Sequence, residues 1–284
     1  MEHAMKGLQL CERYFYELGL PLFEKECEDI LPRMAFGLVG DGSDCFGYDD
    51  EVSRDHDWGP AFCIWLNRDD VETHGDRVQA LYNRLPKQFC GFDARLTSSY
   101  GEGRVGLLET ENFYRRYLGP SGFPQTLKNW LILSENALAT AVNGKVFRDP
   151  AGAFSAIRRG LQEYYPEDVR IKKIAARCMT VGQAGQYNYP RCVKRNELYA
   201  AAQAEMKFIE TALSLVFLLN RRYVPFYKWA HRAVRELPVL GTYGYDMISR
   251  LMGCADTDEK VHLIEQFSLE LISILQAACL LYTS

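Results

Sequence analysis

Small and acidic residues are crowded into one stretch of the chain, between Gly37 and Leu66. Gly42 and Ser43 follow a short apolar run, and Asp55 and Asp57 come after a gap of eleven residues. Glycine and serine after a strand let backbone N–H groups approach a phosphate closely. Two aspartates two positions apart at a strand start point to the same face. The pattern predicts that Gly42 and Ser43 contact phosphates and that Asp55 and Asp57 bind Mg²⁺, which prefers oxygen ligands.

This pattern resembles the signature of the DNA polymerase beta-like nucleotidyltransferase superfamily. Three strings also resemble an uncharacterised branch known only as a domain of unknown function: GDGSDCFGYDDEVSRDHDWGP, GQYNYPRCVKRNE and NRRYVPFYKW. Together they extend the resemblance over nearly the whole chain. The resemblance implies an enzyme that transfers a nucleoside monophosphate from ATP or another NTP to an acceptor. Asp55 and Asp57 would then be catalytic ligands of one or two Mg²⁺ ions, and the acceptor stays open.

The resemblance also implies a third carboxylate on a later strand. Glu109, in the predicted strand RVGLLET, is the first choice for this catalytic role, and Asp93 and Glu135 are alternatives. The remaining negative charge of a triphosphate needs cations. We expect these among Arg191, Lys194, Arg195 and Lys228, with Arg195 and Lys228 as nucleotide-binding residues.

Other features of the same stretch are assigned structural roles. Asp44, Asp49, Asp50 and Glu51 are expected to form a solvated acidic loop. A dinucleotide-binding fingerprint is not indicated, because its third glycine would fall on Cys45 and no helix pattern begins there. In the sequence after Asp57, Gly59 and Pro60 favour a bend away from ideal pleating.

Composition indicates an ordinary globular protein. The 284 residues include 33 basic and 37 acidic side chains, which gives a net charge of −4 and argues against a dedicated duplex-DNA binder. The nine cysteines show no C-x-x-C spacing, so zinc sites are not indicated and reduced thiols are expected. A charged N-terminus and short apolar runs predict neither a signal peptide nor a membrane segment. We therefore expect a cytoplasmic protein without membrane partners.

Periodicity predicts an α+β protein in two parts. Residues 1–150 read as a helix of about 30 residues, then strands around RMAFGLVG, HDWGPAFCIWL, RVGLLET and KVFRDP. Helices are predicted over DDVETHGDRVQALYNRLP, ENFYRRYLG and TLKNWLILSENALATAV, and the last of these ends at Asn143–Gly144. This order indicates a small mixed nucleotidyltransferase-type sheet domain. Residues 151–284 read as a helical bundle for substrate and nucleotide, whose strongest helix runs from Lys194 to Tyr223. The alternative function is a non-catalytic nucleotide-binding or partner-binding module on the same fold, which a missing third carboxylate would favour.

Overall fold

The computed structural model describes residues 5–54, 57–95 and 103–280. The chain forms two compact units: Met1–Pro124 with Thr140–Glu163, and Gln125–Ala139 with Tyr164–Ser284. The first contains the sheets and the second is helical. The predicted α+β class, with a small mixed sheet and a C-terminal helical region, is confirmed. The functional boundary between residues 150 and 151 stays a prediction.

Within the described residues, six short strands form two sheets. The larger sheet has the order β5-β2-β1-β6, in which β2 and β5 are parallel and the other neighbours are antiparallel. The smaller sheet is a hairpin of two-residue strands, β3 and β4. The strands are β1 (Ala35–Leu38), β2 (Cys63–Leu66), β3 (Gln88–Phe89), β4 (Phe92–Asp93), β5 (Gly106–Glu109) and β6 (Lys145–Arg148).

Helices fill the rest of both units. A π-helical turn, Phe15–Gly19, joins the first two, and another, Gly182–Asn188, joins the eighth and ninth. Short 3₁₀ turns occur at Leu31–Arg33 and Val52–Arg54. The α-helices are α1 (Gly7–Tyr14), α2 (Leu20–Glu26), α3 (Arg68–Asn83), α4 (Thr110–Leu118), α5 (Leu127–Ile132), α6 (Glu135–Val142), α7 (Ala153–Gln162), α8 (Glu167–Val181), α9 (Tyr189–Lys194), α10 (Leu198–Leu219), α11 (Tyr227–Val234), α12 (Gly241–Gly253) and α13 (Thr257–Ala277).

The larger sheet is buried on both faces because its central strands carry apolar side chains on both faces. On one face Phe36 of β1 packs against Phe15 and Phe62, in a core that α1, α2 and α3 cover. On the other face Trp65 of β2 stacks on Phe154 of α7, with ring centroids 3.9 Å apart. Because the side chains of a strand point alternately to opposite faces, the four short strands contribute to an apolar core on each side of the sheet.

The helical unit is built around α10. Its C-terminal half, residues 211–218, is buried on every side, and the helix packs against α8, α9, α11 and α12. Phe208 is fully buried and meets Phe267 of α13 edge to face at 6.1 Å. None of the helices within the described part of the chain combines the length and the apolar character that a bilayer span requires.

Three predicted elements differ from the structure. The second strand begins only at Cys63, because Gly59 has a positive φ of 137° and the chain bends before it. The long helix begins at Leu198, since Asn196 has a φ of 57° and separates it from α9. The helix predicted over TLKNWLILSENALATAV is two helices, α5 and α6.

Candidate functional site

A glycine-rich loop leaves the carboxyl end of β1. Gly40 and Gly42 have φ values of 121° and 137°, which β-carbon sterics make unfavourable for other residues. The backbone N–H groups of Gly42 and Ser43 and the Ser43 hydroxyl form no hydrogen bond with any residue that the structure describes. Both residues are half-exposed. The loop therefore presents two consecutive unpaired N–H donors, a feature of anion-binding backbone nests.

Asn143 fixes the start of this loop. Its side-chain Oδ1 accepts from Gly40 N at 2.8 Å, and its Nδ2 donates to the Gly40 carbonyl at 2.7 Å. The next residue, Gly144, donates its N–H to the Cys45 carbonyl at 2.8 Å. The sequence indicated only a helix end at Asn143–Gly144. Its polar contacts lie 103 positions away in the chain, so no local pattern could identify this positioning role.

A buried ion pair fixes the other side of the loop. Asp44 is 1% exposed, and its carboxylate pairs with the guanidinium of Arg95, whose side chain is also buried. Its Oδ1 also accepts from the N–H of Cys45 at 2.9 Å. Burial acts to lower the pKa of Arg95, but the Asp44 carboxylate outweighs it, so that the pKa is raised. Arg95 therefore stays charged and holds the residue after Ser43 in place.

Of the two aspartates predicted to bind Mg²⁺, Asp57 lies within the residues that the structure describes. Asp55 lies outside the described residues. Asp57 has a φ of 51° and precedes β2 by six positions, so the prediction that Asp57 lies at a strand start is wrong. The Asp57 side chain is 10% exposed, and its Oδ2 lies 3.2 Å from Nη1 of Arg104. Its carboxylate is thus held by a partly buried arginine.

The loop and the Asp57 segment nevertheless meet. A β-carbon on Gly7 would lie 2.6 Å from Nε1 of Trp58 and 2.7 Å from Cβ of Asp44. Both side chains therefore close on the same point at the start of α1. A β-carbon on Gly59 would lie 3.0 Å from the backbone N of Arg95, the residue that pairs with Asp44. The residue after Ser43 and the residue after Asp57 therefore lie close together in the sheet unit.

Glu109 is not part of this region. β5 runs from Gly106 beside Cys63 to Glu109 beside Leu66. The carboxyl end of β1 lies at the other end of β2, because Gly37 pairs with Cys63. Three residues of strand separate the two ends, on the order of 10 Å. Glu109 instead accepts from Asn112 Nδ2 at 2.6 Å. This placement does not support Glu109 as the third carboxylate.

The two alternative carboxylates occupy different units. The exposed side chain of Asp93 accepts from Nε2 of Gln88 at 3.1 Å, and its carbonyl oxygen would lie 2.6 Å from a β-carbon on Gly59. Glu135 belongs to the helical unit and hydrogen-bonds there to Arg177 and Ser214. Of the three candidates, Asp93 is the one whose backbone lies beside the Asp57 segment.

Two of the four loop acids expected to be solvated are buried. Asp44 is one of them, and Asp49 is the other at 2% exposure. The Asp49 carboxylate accepts from Gly7 N at 2.7 Å and from Nε1 of Trp58 at 3.0 Å. These two acids anchor the loop to α1 and to the segment after Asp57. Asp50 and Glu51 are exposed, as expected for a solvated loop.

Cysteines around the loop are structural thiols. Burial raises the pKa of Cys11 to about 11 and that of Cys63 to about 12, and it raises that of Cys45 as well. Since the thiolate is the nucleophile and the metal ligand, these three groups are inert at neutral pH. Across the described ranges, no cluster of three or more histidine, cysteine, aspartate or glutamate side chains is arranged to hold a metal.

The predicted nucleotide-binding cations lie on the helical unit. Arg191 and Lys194 stand in the last turn of α9, where cations favour the negative end of a helix, rather than at the start of the long helix. Arg191 also lies over the Tyr187 ring at 4.4 Å. These two residues, Arg195 and Lys228 are exposed. Their contact with a nucleotide stays a prediction.

This chain is similar to a family of unknown function and to a solved structure. A family model described as a domain of unknown function, DUF4037, matches residues 130–230. No curated protein matches the chain. A solved structure of a nucleotidyltransferase-like protein from Exiguobacterium sibiricum is similar at 12% identity and a TM-score of 0.38, over 92% of this chain and 74% of that chain. A similarity at this TM-score carries no argument, so the function rests on the site itself.

Proposed function

We propose that the protein is a metal-dependent nucleotidyltransferase that moves a nucleoside monophosphate from ATP or another NTP to an acceptor hydroxyl. Gly42 and Ser43 would receive the β- and γ-phosphates. The observation that carries the proposal is the pair of unpaired N–H groups at Gly42 and Ser43, in a loop whose Asp44 lies close to Trp58, the residue that follows Asp57. Backbone donors of this kind favour phosphate oxygens, and a nearby carboxylate is a ligand for the accompanying cation.

The described residues alone do not form a complete Mg²⁺ site. They supply one carboxylate, Asp57, which is paired with Arg104, while the proposed second ligand, Asp55, lies outside the described ranges. Mg²⁺ usually takes one or two carboxylates, several waters and substrate phosphates, so two aspartates here match its normal demand. When bound, the ion would neutralise charge on the triphosphate. Arg104 would have to release Asp57 first.

In the proposed transfer, the protein itself forms no covalent bond to the substrate. The acceptor oxygen forms a bond to the α-phosphorus as the bond to the pyrophosphate oxygen breaks, and the acceptor proton passes to a base. Gly42 and Ser43 would orient the leaving pyrophosphate for in-line attack, and orientation of this kind supplies much of such a rate enhancement. Asp93 is the described carboxylate that we propose for the third acidic position in place of Glu109.

A non-catalytic nucleotide-binding module is the second candidate. Two observations favour it: Asp57 is paired with Arg104, and Glu109 lies at the far end of β5. Such a module would keep the Gly42–Ser43 contact with phosphates and bind nucleotide without turnover.

Mass spectrometry of cell extract incubated with protein, Mg²⁺ and ATP labelled in the adenosine moiety tests the transferase directly. We expect label on an acceptor and release of pyrophosphate. Asp57→Asn should abolish both, whereas Asp76→Asn, which alters an exposed carboxylate of α3, should leave them intact. Nucleotide binding without any labelled product would select the binding module, and no binding of any nucleotide would reject both.

A further inference from the structure

The helical unit contains a polar cavity of about 270 Å³ that the proposed transfer reaction does not use. Its walls come from the first residues of α6, from α8 and from α10. On α8 and α10 the lining positions recur at three- and four-residue spacing, so each helix presents one polar stripe. The residues that matter most are Glu135, Arg177, Thr180, Lys207, Thr211 and Ser214.

The one inner carboxylate of this cavity is already paired with protein donors. Oε1 of Glu135 accepts from Nη2 of Arg177 at 2.8 Å, and its Oε2 accepts from the Ser214 hydroxyl at 2.8 Å. The Ser214 oxygen in turn accepts from Nε of Arg177 at 3.1 Å. Glu135 therefore has its counter-charge, Arg177, within the protein.

The cations around the cavity keep unused donors. Nη1 of Arg177 donates to no residue within the described ranges. Lys173 lies one turn earlier on α8, is buried, and contacts the face of the Tyr165 ring at 5.0 Å without a hydrogen bond to the described protein. At the rim, Lys207 pairs with Glu210 at 3.2 Å, but both side chains are more than half exposed, so this pair is weak.

Charge balance in this region favours an added anion. Three cations, Lys173, Arg177 and Lys207, lie in or beside the cavity with two carboxylates, Glu135 and Glu210, so one positive charge is in excess. Burial lowers the pKa of Lys173, and the Glu135 carboxylate only partly opposes that shift. An uncompensated buried charge is costly, and a bound anion would offset it.

We propose that this cavity binds a small organic molecule that carries a carboxylate or a phosphate group. Arg177 and Lys207 would donate to the acidic group, and Lys173 would contribute its charge from behind. The hydroxyls of Thr180 and Thr211 already donate to carbonyls of their own helices, so their oxygens would accept hydrogen bonds from hydroxyl groups of the ligand.

A neighbouring groove gives such a ligand room to extend. It has a volume of about 610 Å³ and shares Thr180 and Lys207 with the cavity. Tyr199 and Ala204 are among its apolar walls. All lining residues of both spaces fall within residues 130–230, the segment that the DUF4037 model matches. The smaller cavity suits the acid group, and the groove suits an apolar or sugar-like remainder.

Calorimetric titration of the full chain at constant ionic strength tests the proposal, with inorganic phosphate, glycerol 3-phosphate and malate as probes. We expect at least one probe to bind the wild type. Lys207→Ala and Lys173→Met should each weaken that probe about tenfold or more, because each removes a charged contact. Lys172→Ala changes an exposed lysine of the same helix by the same charge and should stay within about twofold.

The phosphate and malate arms distinguish the two acid groups. Lys207 is largely exposed, so its variant should fold even where Lys173→Met does not; circular dichroism checks both. The proposal is overturned if no acidic probe binds, if Lys172→Ala weakens binding as much as Lys207→Ala, or if ethanolamine binds where the acids do not. Asp57→Asn should leave acid binding unchanged, which separates this test from the transferase proposal.

Discussion

At the scale of single residues, Gly42 is the position where backbone geometry and proposed function meet. Its φ of 137° is unfavourable for any residue with a β-carbon, and a β-carbon there would collide with Oδ1 of Asp44. We expect Gly42→Ala to destabilise the protein by about 1–3 kcal/mol and to abolish nucleotide binding. Urea unfolding and calorimetry measure the two effects.

The matched control is Gly47→Ala in the same loop. Gly47 also has a positive φ, of 73°, but nothing lies within 4 Å of the added carbon. It should cost stability alone, about 1–2 kcal/mol, with nucleotide affinity kept. Equal loss of affinity in both variants would contradict the assignment of Gly42 to a phosphate site.

Arg95 carries the second prediction at this scale. Arg95→Met leaves the carboxylate of Asp44 buried without its partner, so the free energy of unfolding should fall by about 3–5 kcal/mol. Adding Asp44→Asn should recover part of that loss because the stranded charge is removed. Arg68→Met breaks an exposed pair with Glu72 and should cost less than about 1 kcal/mol. Chemical unfolding of the wild type and these three variants would refute the role of Arg95 if the two single arginine variants lost equal stability.

The sequence predicts these residues only in part. The types and spacing of Gly42, Ser43 and Asp57 are visible in the sequence, and in the structure Asp44 and Trp58, which follow Ser43 and Asp57, lie close together. The burial of Asp44 and the hydrogen bonds of Asn143 depend on partners 51 and 103 positions away. Local pattern cannot distinguish a buried, paired acid from a solvated one, because both occupy polar loops.

At the scale of elements, α8 begins with a cluster of charged side chains that should make the stability of the protein depend on pH. Hydrogen bonds from Arg170, aided by Arg221, lower the pKa of Glu167 to about 2, below its ordinary value near 4.5. A depressed folded-state pKa stabilises the protein above the unfolded pKa, and this contribution disappears as pH falls from about 4.5 to about 2.

Glu167→Gln should therefore lower stability at pH 7 by no more than about 1 kcal/mol, since Glu167 is 45% exposed. The difference between variant and wild type should shrink as pH falls toward 2. Asp168→Asn is the control, because Asp168 shares the first turn of α8 and has no such arginine partner among the residues that the structure describes. Urea unfolding at pH 7 and pH 3 measures both, and a difference that grows in acid would contradict the prediction.

Elements were predictable where periodicity is strong and less so where loops intervene. The runs around Ala35–Leu38, Gly106–Glu109 and Lys145–Arg148 were identified as strands, and α3 and α4 as helices. β2 begins later than predicted for a physical reason. Gly59 packs against the backbone of residues 93–95, and no sequence pattern near Asp57 indicates this contact. The strand geometry assumed for Asp57 failed for the same reason.

At the scale of the whole molecule, the chain passes between the two units more than once. The helical unit includes Gln125–Ala139, which precedes the predicted boundary at residue 150. That segment supplies Trp130, whose ring meets Tyr165 at 5.7 Å, and Glu135, which pairs with Arg177. Sequence alone placed the boundary where the strand pattern ends and could not show this return.

These contacts predict the behaviour of fragments. Residues 151–284 should be less stable than residues 125–284, because the shorter fragment lacks Trp130 and leaves Arg177 without Glu135. Thermal unfolding followed by circular dichroism compares them. A Glu135→Gln variant of the longer fragment, which keeps Trp130, separates the two contributions. Equal melting temperatures for the two fragments would support a functional boundary at residue 150.

Calorimetric titration with ATP tests the central claim most directly, because it measures whether the Gly42–Ser43 loop and Asp57 together bind a nucleotide with its cation. We expect wild type to bind ATP in Mg²⁺ and to lose about tenfold or more in affinity when EDTA removes the ion. Asp57→Asn should show the same weakening in Mg²⁺ and no further loss in EDTA, while Asp76→Asn behaves as wild type. Mg²⁺-dependent binding that is unchanged in Asp57→Asn would contradict the claim.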